Sequence, residues 1–120
     1  MKTKLQNKWR LPTIDEFKEV LYPNMEKIPN LKKNSSYWSS SVVTYHTACY
    51  FFFYSGNAGN TVKSYAIQVR AVRDILSNST NSPNTTIIGN LEVHNKNLGP
   101  MNYFDAVDAV EKLNNIKIKL

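Results

Sequence analysis

Cysteine is almost missing from this chain, with Cys49 the single one in 120 residues. No intramolecular disulfide can form, so the fold must hold through its core. Placed in an apolar run, Cys49 reads as a small buried hydrophobe and not as a reactive thiol. Histidine is nearly as scarce: only His46 and His94 occur, and neither has an acidic partner at metal-ligand spacing. P-loops, EF-hand loops, zinc spacings and a Ser/His/Asp order are lacking as well. No metal, no cofactor and no catalytic residue are therefore expected, and the chain does not read as an enzyme. No run approaches the roughly 18 apolar residues that would span a bilayer, the longest lying around Tyr50 to Tyr54. Nor does an apolar stretch follow Lys2, Lys4 and Lys8 to make a signal peptide, so the sequence suggests no export route.

Acidic residues are few, 9 against 15 lysines and arginines, which leaves a net charge of +6. Such a balance draws a protein toward anionic surfaces: acidic or sulfated glycans, lipid headgroups or nucleic acid. The positive charges are scattered, however. Lys27, Lys32 and Lys33 form one loose group, and Lys112, Lys117 and Lys119 form another with the N-terminal lysines. A solvated basic surface accounts for this, and no specific nucleic-acid site is expected. The length suits one domain spanning residues 1–120, able to bury about two thirds of its unfolded surface.

The first helix is signalled by Thr13 as N-cap, Glu16 three residues on to complete a capping box, and Pro12 just outside. Ile14, Phe17, Val20 and Leu21 fall on one face, and Pro23 ends the helix. Residues 22–36 read as loop. From Tyr37 to Asp74, aromatic and β-branched residues predict three antiparallel strands near 37–43, 48–54 and 63–73. The second turn is assigned to Ser55-Gly56-Asn57-Ala58-Gly59-Asn60. Residues 75–86 have linker composition. Beyond them Ile87–Val93 predicts a strand, and Asn102 with Asp105 caps a second helix whose apolar face is Tyr103, Ala106, Val107, Val110 and Leu113. The fold class is α+β: small antiparallel sheets with two amphipathic helices.

Three blocks, Trp9-Arg10-Leu11-Pro12-Thr13, Tyr37-Trp38-Ser39-Ser40 and Val69-Arg70-Ala71-Val72-Arg73, resemble the DUF1566 family, the domain also found at the C-terminus of bacterial collagen-like adhesins. Ile88-Gly89-Asn90-Leu91-Glu92-Val93, Asn97-Leu98-Gly99-Pro100-Met101-Asn102-Tyr103 and Asp105-Ala106 resemble the start of the same family, where they precede the tryptophan-arginine block. Here they follow it. The resemblance implies a C-type-lectin-like fold, related to formylglycine-generating enzymes, in circularly permuted order: residues 7–74 carry the first helix and sheet, and 88–113 complete the domain. Lys117-Ile118-Lys119-Leu120 echoes Lys8-Trp9-Arg10-Leu11. Closure within one chain, exchange of residues 88–113 between chains, and a fragment of a tandem array all fit this order. The resemblance further implies a noncatalytic, adhesin-like recognition domain for a glycan or protein ligand, on a bacterial surface or secreted. The cysteine pair of the enzyme branch cannot be formed here, and the Glu-Pro-Asn or Gln-Pro-Asp tripeptides of calcium-binding lectins do not occur.

Within that resemblance Trp9, Arg10, Pro12, Thr13, Glu16, Trp38, Arg70 and Arg73 read as architectural. The arginines are expected to meet main-chain carbonyls or Asp15, Glu16, Asp74 and Asp105. The alternation of a strand assigns Cys49, Phe51 and Phe53 to the core and sets Tyr50, Phe52 and Tyr54 on the opposite face, beside Ala66, Gln68 and Arg70. That aromatic stripe is either covered by another element or is a binding or oligomer surface. Candidate ligand contacts, on loops 42–48 and 55–62 and on the stripe, are Tyr45, His46, Tyr50, Phe52, Tyr54, Asn57, Asn60 and Lys63, with an anionic ligand one option. The alternative function is an assembly module that oligomerises through the aromatic face or by exchange.

Overall fold

Thr13 has extended backbone geometry and its Oγ1 accepts from the Glu16 amide at 3.0 Å, while Glu16 Oε1 accepts from the Thr13 amide at 2.9 Å. The capping box is therefore complete. From it the helix α1 (Ile14–Glu16) continues as a π-helical stretch, Phe17–Leu21, that stops before Pro23. Of the expected apolar face, Phe17 and Leu21 are buried and Val20 packs beside them. The computed structural model describes residues 8–75 and 82–114. Residues 76–81 of the expected linker, and the echo at 117–120, lie outside the described residues.

Strands follow in the order β1 (Ser36–Val42), β2 (Thr47–Phe52), β3 (Asn57–Val62), β4 (Ile67–Gln68), β5 (Val72–Asp74), β6 (Thr85–Ile88), β7 (Leu91–His94) and β8 (Pro100–Met101), before the helix α2 (Tyr103–Asn114). They form two sheets, β3-β2-β1-β4-β8 and β5-β7-β6. All pairings are antiparallel except β1 with β4. The result is an α+β domain with two helices and two mostly antiparallel sheets. At the start of α2 the Asp105 amide donates to Asn102 Oδ1 at 2.8 Å, the expected cap.

Three expectations about the strands need correction. Of residues 55–60 only Ser55 and Gly56, the latter at φ +75°, lie in the turn, because β3 begins at Asn57 and pairs residue by residue with β2. Gly59 stands opposite Tyr50, and a Cβ there would lie 2.6 Å from the Tyr50 hydroxyl. Its glycine makes room for a ring lying across the strand, a role that looks like turn chemistry in sequence. Residues 63–73 are not one strand: the chain turns at Lys63–Tyr65, runs through β4 beside β1, and reaches the other sheet as β5. Gln68 thus pairs with Tyr37 of β1, not with β2. Residues 87–93 form a hairpin, with Ile88 paired to Leu91 and Gly89 at φ +59° between them. A positive φ at the first central position is the type II′ pattern that suits a two-residue connection. Thr85 and Thr86, expected in the linker, belong to β6.

Both faces of the larger sheet are packed. Tyr37 pairs with Phe51 and Trp38 with Tyr50, and strand alternation sends the two pairs to opposite sides. On one side Tyr37, Phe51 and Phe53 meet Phe17 and Leu21 and the smaller sheet's Val72, Leu91 and Val93. The Phe17 and Phe51 rings stack at 5.3 Å, 2° from parallel. On the other side Trp38 and Ala48 meet Trp9, Leu11, Val69 and Ala71 and the Tyr103, Ala106 and Val110 face of α2. Trp38 has no exposed surface, which is on the order of 5 kcal/mol of gross burial. Cys49 is half-buried and not in the core. It pairs with exposed Asn60 on the edge strand, whereas neighbouring Ala48 lies on the α2 side and takes the buried position.

Candidate functional site: the cleft over Tyr50

The motif residues hold one another. Arg10 and Val72 exchange both main-chain hydrogen bonds at 2.9 Å, joining the tryptophan-arginine block to β5. The Arg10 guanidinium donates twice to the Glu16 carboxylate at 2.8 Å and once to Asp74 at 2.9 Å. Its pKa is raised, first by the hydrogen bond to Glu16. Arg73 lies over the Trp9 ring at 4.3 Å and pairs with buried Glu92 at 3.1 Å. Glu92 was not foreseen as an arginine partner; Asp105 instead meets Asn102, and Asp15 is exposed.

Arg70, 2% exposed, donates to neutral oxygens: Pro29 O at 2.9 Å, His94 O at 3.2 Å and Asn97 Oδ1 at 2.6 and 3.1 Å. The Tyr37 hydroxyl donates to the same Asn97 oxygen at 2.8 Å. Burial lowers the Arg70 pKa, with Tyr37 acting the other way. Trp38 Nε1 donates to Met101 O at 2.9 Å, and Pro12 O accepts from the Ser40 amide at 2.8 Å. Where β1 shifts register, Ser39 Oγ donates to Cys49 O and accepts from the Ser41 amide. These partners leave the motif side chains committed to the framework.

The eight candidate ligand residues divide into three places. Tyr45, His46 and Lys63 border a hollow of about 420 Å³ with Val62 and Phe104. There Tyr45 is 84% exposed and touches His46 edge-on, while Lys63 Nζ lies 5.5 Å from the Tyr103 ring and 5.4 Å from the Phe104 ring. Phe52 and Tyr54 sit at the open end of the β2 stripe, their rings 5.9 Å apart, with Asn57 paired to Phe52. Tyr50 and Asn60 border a cleft of about 390 Å³. Cover along the stripe decreases steadily: Ala48 is fully buried, Tyr50 and Phe52 are half-buried, and Tyr54 is 72% exposed.

The cleft combines four strands. Ser36, Tyr50, Thr61 and Gln68 come from β1, β2, β3 and β4, and Tyr65 closes one side from the β3–β4 connection. That connection is pinned: the Lys63 amide donates to His46 O, Lys63 O accepts from the Tyr103 amide, both at 2.8 Å, and the Tyr65 amide donates to Val62 O at 3.2 Å. Gln68 Oε1 is shielded from solvent and has no hydrogen-bond partner among the described residues. Among the described residues no aspartate, glutamate, lysine, arginine or histidine lines the cleft. Sequence reasoning set Gln68 beside the Tyr50 face without naming it as a contact, and missed Tyr65, because a single strand over 63–73 hides both the turn at Tyr65 and the step that carries Gln68 beside Tyr37. Among the described residues no group of three or more metal-ligating side chains occurs, and no helix is long and apolar enough to cross a membrane.

No family model, curated protein or solved structure matches the chain. The geometry provides a rigid, open cleft that can present an aromatic ring, hydroxyls and an amide to a ligand.

Proposed function

We propose that this chain is a noncatalytic recognition domain that takes a glycan or protein ligand in the cleft over Tyr50. The carrying observation is the cleft itself, with Tyr50 and Tyr65 presented beside the partnerless Gln68 oxygen. Polar groups fixed on a sheet, with an aromatic surface among them, are a common way to orient a ligand. The reading includes the DUF1566-like, C-type-lectin-like fold in permuted order, and with it an adhesin-like role on a bacterial surface or in secretion. Two contacts favour the permuted order. The Trp9 amide donates to Asn114 Oδ1 at 2.6 Å, and Asn114 Nδ2 donates to Trp9 O at 2.9 Å, so the last residue of α2 touches the tryptophan-arginine block that would follow it in the unrotated order. Residues 85–114 also complete the sheets of their own chain.

Immobilised glycans and a displayed peptide library, screened with the wild type and with Tyr50→Ala, test the reading. A captured ligand that is lost with Tyr50→Ala and kept with Tyr45→Ala supports it. Failure to capture anything, or capture indifferent to Tyr50, overturns it.

An assembly module is the second reading. Val42, Val43, Tyr45, Val62 and Phe104 are large apolar side chains left exposed, and Tyr45, Val62 and Phe104 border one hollow, which a second copy could cover. Light scattering at high concentration separates the readings, since a strict monomer removes this one.

A further inference from the structure

Resting on the recognition reading, we infer that the ligand of the Tyr50 cleft is a neutral, hydroxyl-rich ring, an uncharged sugar, bound without help from the net positive charge. The chain carries +6, yet among the described residues no ionised side chain borders the cleft. An acidic sugar seated there would give up hydration for its charge and meet no cation in return. Lys63, the basic residue among the candidate contacts, lies instead against Tyr103 and Phe104.

What the cleft does offer matches a sugar ring. Tyr50 lies across the glycine of the edge strand, where any side chain at Gly59 would collide with it. The ring is thus laid along the sheet as a platform for the apolar face of a pyranose. Ser36 and Thr61 supply hydroxyls at the margin. Gln68 supplies an amide whose oxygen, shielded from solvent as it stands, has no partner among the described residues. Its terminal torsion is soft, so the amide can turn to present either end, and a sugar hydroxyl both donates and accepts. Two residues further along the same face stands Phe52, with the Tyr54 ring 5.9 Å beyond it. A second ring of an oligosaccharide would follow that track toward solvent.

Isothermal titration with lactose, maltotriose, chitotriose and mannotriose as neutral probes, and a sulfated heparin disaccharide as the anionic one, tests this at 20 mM and 300 mM salt. At least one neutral probe is expected to bind with an affinity that changes less than about twofold between the salts. Gln68→Leu is expected to weaken it by about tenfold, the loss of one unmatched hydrogen-bonding group, and Lys63→Ala to leave it unchanged. Should Gln68→Leu unfold the chain, Ser36→Val at the margin is read in its place, with a weakening expected. Binding confined to the sulfated probe and falling with salt overturns the inference while leaving a recognition cleft standing. A protein ligand captured through Tyr50, with every sugar silent, does the same. Silence from all sugars together with no ligand from the Tyr50 screen overturns both.

Discussion

Replacing Arg70 by lysine keeps the positive charge and removes the fork. The guanidinium reaches Pro29 O, His94 O and Asn97 Oδ1 in different directions at 2.6–3.2 Å, and a lysine ammonium, a single point on a flexible stem, cannot serve all three. Two lost bonds to a charged donor amount to about 3–6 kcal/mol, each being worth about 1.5–3. The ammonium, more strongly hydrated than a guanidinium, is costlier to bury, and relaxation returns part of the loss. A net destabilisation of about 3–5 kcal/mol is expected for Arg70→Lys. At this chain length that lowers Tm by roughly 10–20 °C. Arg70→Met removes the buried charge but abandons two carbonyls at about 1–3 kcal/mol each, so a loss of about 2–4 kcal/mol is expected. Urea denaturation followed by tryptophan fluorescence measures both. Because the partners are neutral, the losses should be the same at 0.05 M and 0.5 M salt. A lysine variant within about 0.5 kcal/mol of wild type, or a loss that disappears in salt, would refute the reasoning, since charge and not the fork would then be the cause.

Gly59→Ala puts a methyl group 2.6 Å from the Tyr50 hydroxyl, so a loss of about 1–3 kcal/mol is expected; a Tyr50→Ala background should relieve most of it, and equal losses in both backgrounds would refute the ring-over-glycine contact. His94 has its pKa lowered, first by burial and then by Arg70, Lys96 and Arg73, against a main-chain contact at Lys96. The unfolded chain therefore takes up the proton first, near pH 6.5, and stability, full above that pH, falls as pH drops below it and through the folded pKa. Urea midpoints between pH 7.5 and 5 should show this fall in the wild type and less of it in His94→Gln; parallel curves would exclude His94 as the source. Asn114→Ala removes both bonds to the Trp9 main chain, and about 1–3 kcal/mol should be lost. Faster amide exchange at Trp9 is the accompanying sign, and unchanged exchange would contradict the contact.

What the sequence disclosed was local. Thr13 with Glu16, and Asn102 with Asp105, are legible because a cap and its partner lie three residues apart and need nothing from the rest of the chain. The sides of Phe51 and Tyr50 are legible because a strand alternates. What each side meets is not, since Ala48 packs in one cluster with Tyr103, Ala106 and Val110 of α2, which come from the far end of the chain. Glycine gave opposite errors for one reason: its freedom serves a turn at Gly89 and a close ring at Gly59, and composition does not separate them. The cleft was half visible. Tyr50 and Asn60 were in the expected set and Gln68 was set beside the Tyr50 face, but it arrives there through the parallel step of β4 beside β1 and not by pairing with β2, a step set by tertiary packing and by no neighbouring residue.

Trp9 and Asn114 stand one hydrogen bond apart in each direction. A unit that leaves through the same doorway it came in by asks little of its host. Spliced into a surface loop of a carrier protein, residues 9–114 would need only a gap of that width, and neither partner would have to bend to receive the other.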